Sequence, residues 1–253
     1  MTARLAQIWR HPVKAHGREQ IETVTLEPGK ALPWDRLWAV AHTRSKFDPA
    51  QPEWQPPINF SRGCNLPRLQ QITCTCDTAA GRITFNHPDC PAITINPNDP
   101  DDTRRFMQWI TPFSGDTELL PAQMVRAPDT AMTDTVYASI SCINLATHRA
   151  VEAQIGRPLD QLRWRGNLLI EGLEPWEEMN WPGKRLTLGE VEFDVIETIG
   201  RCRMTEANPE TGARDVEMLR LLRDGFGHTD CGVYLKVVKG GTLRQDMPIG
   251  AVA

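Results

Sequence analysis

Glycine and proline interrupt this chain too often to allow long helices. The 18 glycines and 20 prolines fall between short segments of alternating apolar and polar residues, the pattern of strands that give one face to a core and the other to water. Candidate strands lie at 5–9, 20–26, 37–42, 69–76, 82–85 and 92–95, each bounded by turn chemistry. Their spacing predicts a compact N-terminal β unit.

Helical periodicity first appears at 102–110, where Phe106, Trp109 and Ile110 share one face behind an Asp-rich start. This helix is expected to close the first unit. The polar stretch 127–135 suits a linker or exposed loop, and the chain divides into a unit at 1–120 and a second at 121–253. A second helix runs from the N-cap Asn144 to Ile155, with Leu145, His148, Val151 and Ile155 along one side and Gly156 as its stop. Strands return at 167–170, 185–188, 191–198, 232–238 and 242–248, the third with Val191, Phe193 and Val195 alternating inward. A third helix at 215–223 ends at Gly225. The fold class is α+β, mainly β.

A chain of 253 residues with 40% hydrophobic side chains can bury a sizeable core. Its 28 basic and 32 acidic residues leave a net charge of −4, which argues against nucleic-acid binding through bulk positive charge. An anionic partner would have to meet a local basic cluster. No stretch approaches the roughly 20 apolar residues that span a bilayer, and MTARLAQIWRHP lacks the apolar run of a signal peptide. A cytoplasmic protein with no nucleic-acid and no membrane partner is expected. Seven cysteines spread over so long a chain differ from the dense framework of a small secreted protein.

Zinc is the first chemistry to test, because Cys64, Cys74, Cys76 and Cys90 lie in the first half. Structural zinc sites usually present ligands two to four residues apart, whereas Cys74-Thr75-Cys76 puts two thiols on one strand face. Ordinary thiols fit better. No phosphate-binding loop, dinucleotide fingerprint or nucleophile elbow occurs, and the six histidines lack metal-ligand spacing. His11 and His228 read as surface or turn residues rather than catalytic bases.

The segment Ile199-Gly200-Arg201-Cys202-Arg203-Met204 is the informative one. A cysteine leaves the end of a strand between two arginines, and nearby cations favour the thiolate that attacks electrophiles or ligates soft metals. Taken alone, a plain structural thiol fits equally well.

Together with Trp9-Arg10-His11-Pro12-Val13-Lys14, Trp34 to Val40 and Arg165 to Ile170, this segment resembles the MOSC family, with the pieces in the same order. The likeness covers nearly the whole chain, through Cys231-Gly232-Val233-Tyr234 and Gly240-Gly241-Thr242-Leu243. It implies a MOSC N-terminal β-barrel domain followed by a β-barrel MOSC domain with a few peripheral helices, as in the two-domain branch containing the mitochondrial amidoxime-reducing component.

By that resemblance Cys202 binds the metal of the molybdenum cofactor (molybdopterin) or carries sulfur. Lys14, Arg62 and Arg165 are the expected cationic contacts to the cofactor phosphate. Asn167 and Thr135 would hydrogen-bond phosphate or pterin, Arg201 would lie near the metal, and Tyr234 would line the pocket. The plain alternative for Lys14 is a solvated lysine, and for Arg165 a surface ion pair. Asp35 and Arg36 read as a structural pair, not as ligands. The tryptophans read as packing, with Trp164 and Trp181 as exceptions near the site. Ala15, Cys231 and Gln245-Asp246 depart from the family pattern.

Two activities compete. One is an oxidoreductase that reduces N-hydroxylated substrates such as amidoximes, with Cys202 as its catalytic centre. It would draw electrons from a separate ferredoxin, cytochrome or flavoprotein reductase, because no cluster motif occurs and no ferredoxin-like extension is expected after Ala253. The other is a cofactor carrier or sulfur relay with a Cys202 persulfide loaded by a cysteine desulfurase.

Overall fold

The computed structural model describes residues 3–115, 117–128 and 130–252. Its strands in the first half are β1 (Arg4–Arg10), β2 (Glu19–Ile21), β3 (Thr23–Leu26), β4 (Ala39–His42), β5 (Thr73–Asp77), β6 (Arg82–His87) and β7 (Cys90–Ile95), followed by helix α1 (Pro100–Ile110). Next come β8 (Pro121–Val125), β9 (Ile140–Asn144), α2 (Leu145–Ile155), β10 (Leu168–Glu171), β11 (Arg185–Leu188) and β12 (Val191–Gly200). The chain ends with α3 (Met218–Phe226), β13 (Asp230–Lys239), β14 (Gly241–Arg244) and β15 (Ile249–Val252). Mainly β with three helices among the described residues, the architecture matches the fold class read from the sequence.

Eight strands form one sheet in the order β15-β11-β12-β13-β9-β10-β1-β2. The β9–β10 pair is parallel and the other pairs are antiparallel. Chain order does not predict this pairing. β1 and β2 join strands of the second half, and β3 pairs with β14, so the predicted strand 20–26 is divided between two sheets. A three-stranded sheet of β5, β6 and β7, covered by α1, holds the separate core of the first half.

Each core follows the alternation in its strands. Val191, Phe193 and Val195 point into the large-sheet core with Leu5, Ile8 and Leu243, while Ile83, Phe85 and Ile95 pack with Phe106 and Ile110 of α1. Burying each such side chain contributes about 1.5–3 kcal/mol.

Three boundaries differ from the sequence expectation for local reasons. Residues Pro67–Gln71 form a 3-10 turn, with Pro67 at its start where a missing N–H costs nothing, and β5 begins only afterwards. The predicted strand 242–248 breaks at Asp246, whose φ is 66°, into β14 and β15. Helix α3 runs through Gly225 to a left-handed cap at Gly227. Gly225 serves close packing instead, because a Cβ there would lie 2.9 Å from Gln154 Cγ of α2. Helix α2 begins as expected, with the Asn144 side chain accepting from the Ala146 N–H at 2.9 Å, and ends at Gly156.

Candidate functional site

Where the C-terminal end of β1 meets the N-terminal ends of β9 and β10, the intervening loops enclose a cavity of about 580 Å³. That volume suits a small molecule or cofactor. The structure brings all eight residues singled out from the sequence into its lining: Lys14, Arg62, Thr135, Arg165, Asn167, Arg201, Cys202 and Tyr234.

Cations dominate one wall. Lys14 and Arg165 keep only 5% and 4% of their surface exposed, so neither is a solvated side chain or a surface ion-pair partner. Lys14 Nζ donates to the Met132 carbonyl at 2.9 Å and also to the Asp134 carboxylate. Burial lowers the Lys14 pKa, and Asp134 opposes that shift. Arg165 donates from Nη2 to the Gly17 carbonyl at 3.1 Å, while its buried Nη1 has no hydrogen-bond partner among the described residues. Arg62 Nε is buried and unpartnered in the same sense.

Burial pulls the Arg165 guanidinium down to about 9, and the charges of Arg36 and Arg18 add to the shift. Arg36 reaches the Arg165 carbonyl from Nη2 at 2.9 Å and pairs through Nη1 with Asp35. Buried guanidinium groups with spare donors carry a desolvation cost that an anion would offset. The cluster therefore has the chemistry of an anion cradle. Its backbone is strained as well: Ala15, Arg36 and Arg165 adopt left-handed φ values of 63°, 49° and 50°, a conformation that costs L-residues energy and concentrates at functional sites.

In the same lining, Cys202 follows β12 by two residues, is exposed, and precedes a 3-10 turn over Arg203–Glu206. Its flanking arginines are not the main source of its acidity. Arg203 turns away to Glu206, 3.0 Å distant, and Arg201 donates to the carbonyls of Cys231 at 2.8 Å and Trp164 at 3.0 Å. The largest influence is a hydrogen bond from the Cys64 thiol, opposed by burial and helped by the Met204 amide and Arg201; together they bring Cys202 down to about 6. Such a group is about nine-tenths thiolate at neutral pH. Cys64 moves the opposite way, pushed up by its hydrogen bond to Cys202 and by burial.

Cys64 reaches this position because its loop is fastened to the Cys202 loop. A Cβ on Gly63 would lie 2.8 Å from Met204 Cγ, so only glycine permits the approach. Arg214 clamps the two loops, donating from Nη1 to the Arg203 carbonyl at 2.9 Å and from Nη2 to the Cys64 carbonyl at 2.5 Å.

The remaining lining residues are partly committed to the protein itself. Asn167 Oδ1 accepts from the Ser141 hydroxyl at 2.8 Å and the Ser141 N–H at 3.1 Å, and Nδ2 donates to the Trp9 carbonyl at 3.1 Å. Thr135 Oγ1 lies 2.7 Å from the Tyr137 carbonyl and 2.8 Å from the Ser139 hydroxyl. Burial and Asp134 lift Tyr234 to about 12, so its phenol stays protonated at neutral pH. Trp164 lines the cavity with Arg201 over its ring, 5.4 Å from the centroid, whereas Trp181 is in the large-sheet core.

Sequence reasoning missed Arg36, Asp134 and Cys64. Arg36 was visible but read as a structural pair with Asp35, and nothing local marks the other two. His11 is a correction: it is 1% exposed rather than on the surface. Burial, with Arg165 and Arg36, holds it well below the usual histidine range. His228 is half-buried in a turn against Trp176.

Two family profiles match the chain. The MOSC domain profile matches residues 129–250, and the profile of the MOSC N-terminal beta barrel domain matches residues 2–118. The chain belongs to the MOSC family.

Among its relatives is the molybdenum cofactor sulfurase of Danio rerio, 25% identical over an alignment 282 positions long, gaps included, that covers 91% of this chain and 31% of that protein. The molybdenum cofactor sulfurase of Anopheles gambiae is 31% identical over 138 residues, covering 50% of this chain and 18% of that protein. The chain thus spans less than a third of the length of these two relatives. Of solved structures, the YUAD protein from Bacillus subtilis aligns over 98% of this chain and 94% of its own, at 10% identity and a TM-score of 0.44. YiiM from Geobacillus stearothermophilus aligns over 45% and 53%, at 17% identity and a TM-score of 0.34. No helix among the described residues is long and apolar enough to cross a membrane.

Proposed function

We propose that this chain binds the molybdenum cofactor, with Cys202 as the sulfur ligand, and reduces N-hydroxylated compounds using electrons from a separate redox protein. The observation that carries the reading is the presence, in the lining of one cavity, of a low-pKa thiolate and a buried guanidinium cluster that has spare donors. The cofactor has the complementary parts: a thiophilic metal and an anionic phosphate. When bound, it would supply redox chemistry and an open coordination position.

The chain's own residues hold and orient it. Arg165 and Arg62, which have donors to spare, would grip the phosphate, with Arg36 behind them. Lys14 is bound to Asp134 and would contribute charge more than a free donor. Two charge-assisted contacts at about 1.5–3 kcal/mol each change affinity by two or more powers of ten. Asn167, engaged at both ends of its amide, would fix the β9–β10 loops around the ligand. Thr135, Arg201 and Tyr234 would shape the cavity beside the metal end. The test is turnover of benzamidoxime by cofactor-loaded protein with a reduced viologen dye. Wild type is expected to turn over and Cys202→Ala to be inactive; equal rates in both would reject the assignment.

A second reading, transfer of sulfur through a Cys202 persulfide, is favoured by one specific observation. Cys202 is an exposed thiolate with a second thiol in hydrogen-bond reach, and the curated relatives named above are sulfurases. The sulfur would be loaded by a cysteine desulfurase.

A further inference from the structure

The Cys64–Cys202 pair is unexplained by metal ligation, which needs one thiolate. Cys64 comes from the first half of the chain and Cys202 from the second, and both line the same cavity. Gly63 and the Arg214 clamp hold their loops together. Neither is in a disulfide. Two free thiols held side by side, one exposed to solvent and one half-buried behind it, have the arrangement in which one sulfur accepts a group and the other displaces it.

We infer that Cys64 is the resolving thiol of the cavity: it attacks Sγ of a Cys202 persulfide and releases the outer sulfur as sulfide. The inference rests on the sulfur-relay reading of Cys202. The step balances without any further reagent: Cys202–S–S⁻ plus Cys64–SH gives the Cys64–Cys202 disulfide plus HS⁻. The Cys64 sulfur donates the electron pair of the new bond and is oxidised. The outer persulfide sulfur leaves with the pair of the old bond and is reduced, and the Cys64 proton departs on it.

Cys64 lies beside Cys202 with Asn65 Oδ1 3.5 Å from its sulfur, so its proton has an acceptor at hand until the leaving sulfur takes it. Burial and the neighbouring Cys202 hold Cys64 as a thiol, with Arg62 and Arg214 only partly opposing them, so its attack is coupled to passage of its proton to the leaving sulfur. Disulfide closure requires sulfurs at about 2.05 Å, so the two loops draw together in the step. Sulfide is thereby released inside the cavity, beside the cationic wall. A low-molecular-weight dithiol would restore the pair for another cycle.

The test is a single turnover on the full chain without cofactor or reductant. Reduced wild type, Cys64→Ala and Cys64→Ser are loaded with inorganic polysulfide and freed of excess, then followed by sulfide assay and peptide mapping. Wild type is expected to lose its Cys202 persulfide with one equivalent of sulfide released and a Cys64–Cys202 disulfide formed. Both variants are expected to keep the persulfide at least about tenfold longer. Equal persulfide lifetimes in wild type and variants, or a stable persulfide in all three, would overturn the role of Cys64 while leaving relay through Cys202 intact. Failure of Cys202 to take up any sulfur would overturn both.

Discussion

The molecule holds two close pairs of cysteines, and their surroundings give them opposite character. Cys64 and Cys202 meet in an open cavity walled by cations, where Cys202 falls to about 6. Cys74 and Cys76 stand two apart on β5, with Cys74 buried against the core under α1. There the neighbouring thiol and burial push Cys76 well up, and Glu19 adds to the effect. Each pair thus has one thiol, Cys64 or Cys76, pushed up by its neighbour and by burial, so proximity alone does not make a thiolate. For Cys202 the neighbouring Cys64 thiol and the Met204 amide outweigh burial.

The largest expected effect lies in that contrast. At pH 7, iodoacetamide is predicted to modify Cys202 about 100-fold faster than Cys76, because a thiolate reacts and a thiol does not. Peptide mapping against time reads the ratio, and comparable rates would erase the distinction. The Cys202 rate should rise through about pH 6 and level off above it. Cys64→Ala, which removes the main stabilising donor, should move that midpoint upward toward the ordinary thiol range, whereas Cys74→Ala should leave it in place.

His16 joins the two regions, flanking Lys14 on one side and meeting the Phe106 ring of α1 at 6.0 Å on the other. Burial lowers it to about 4. A histidine depressed in the folded state contributes stability that is complete above about pH 6.5 and is lost as pH falls toward 4, on the order of 3 kcal/mol. His11, also buried and held neutral, adds to the loss. Urea unfolding at pH 7 and pH 4.5 measures it, and His16→Gln should flatten the profile; an unchanged slope would contradict the burial argument.

A smaller effect is expected at Arg165. Arg165→Met should weaken binding of pyrophosphate to the cofactor-free protein about tenfold or more, measured by calorimetry. In anion-free buffer the same variant should unfold at equal or higher temperature, since it removes a buried cation with an unpartnered donor. The smallest effect belongs to Ala15, whose left-handed φ makes Ala15→Gly stabilising by about 1 kcal/mol.

Much of this was legible in the chain. Alternation marked most strands, Asn144 and Gly156 marked both ends of α2, and the arginine-flanked cysteine pointed to Cys202. Of the two flanking arginines only Arg201 contributes to its acidity, and as a minor cause, because a sequence shows Arg201 and Arg203 beside it but not the thiol that folding brings from Cys64. The same limit hid the sheet order. β1 and β2 have the local pattern of any hairpin-forming segment, and only long-range register places β1 against β10. Arg36 was visible yet set aside, since adjacency to Asp35 predicts an ion pair and conceals the second face of the guanidinium, which reaches Arg165.

The central claim is that Cys202 and the cationic wall together hold the molybdenum cofactor. The most direct measurement is molybdenum and pterin content of wild type and Cys202→Ala purified from a host that makes the cofactor, with circular dichroism to show that both are folded. Stoichiometric metal and pterin in wild type, with the metal lost from the variant, is the predicted result. Equal molybdenum in the two proteins, or none in either, would contradict it.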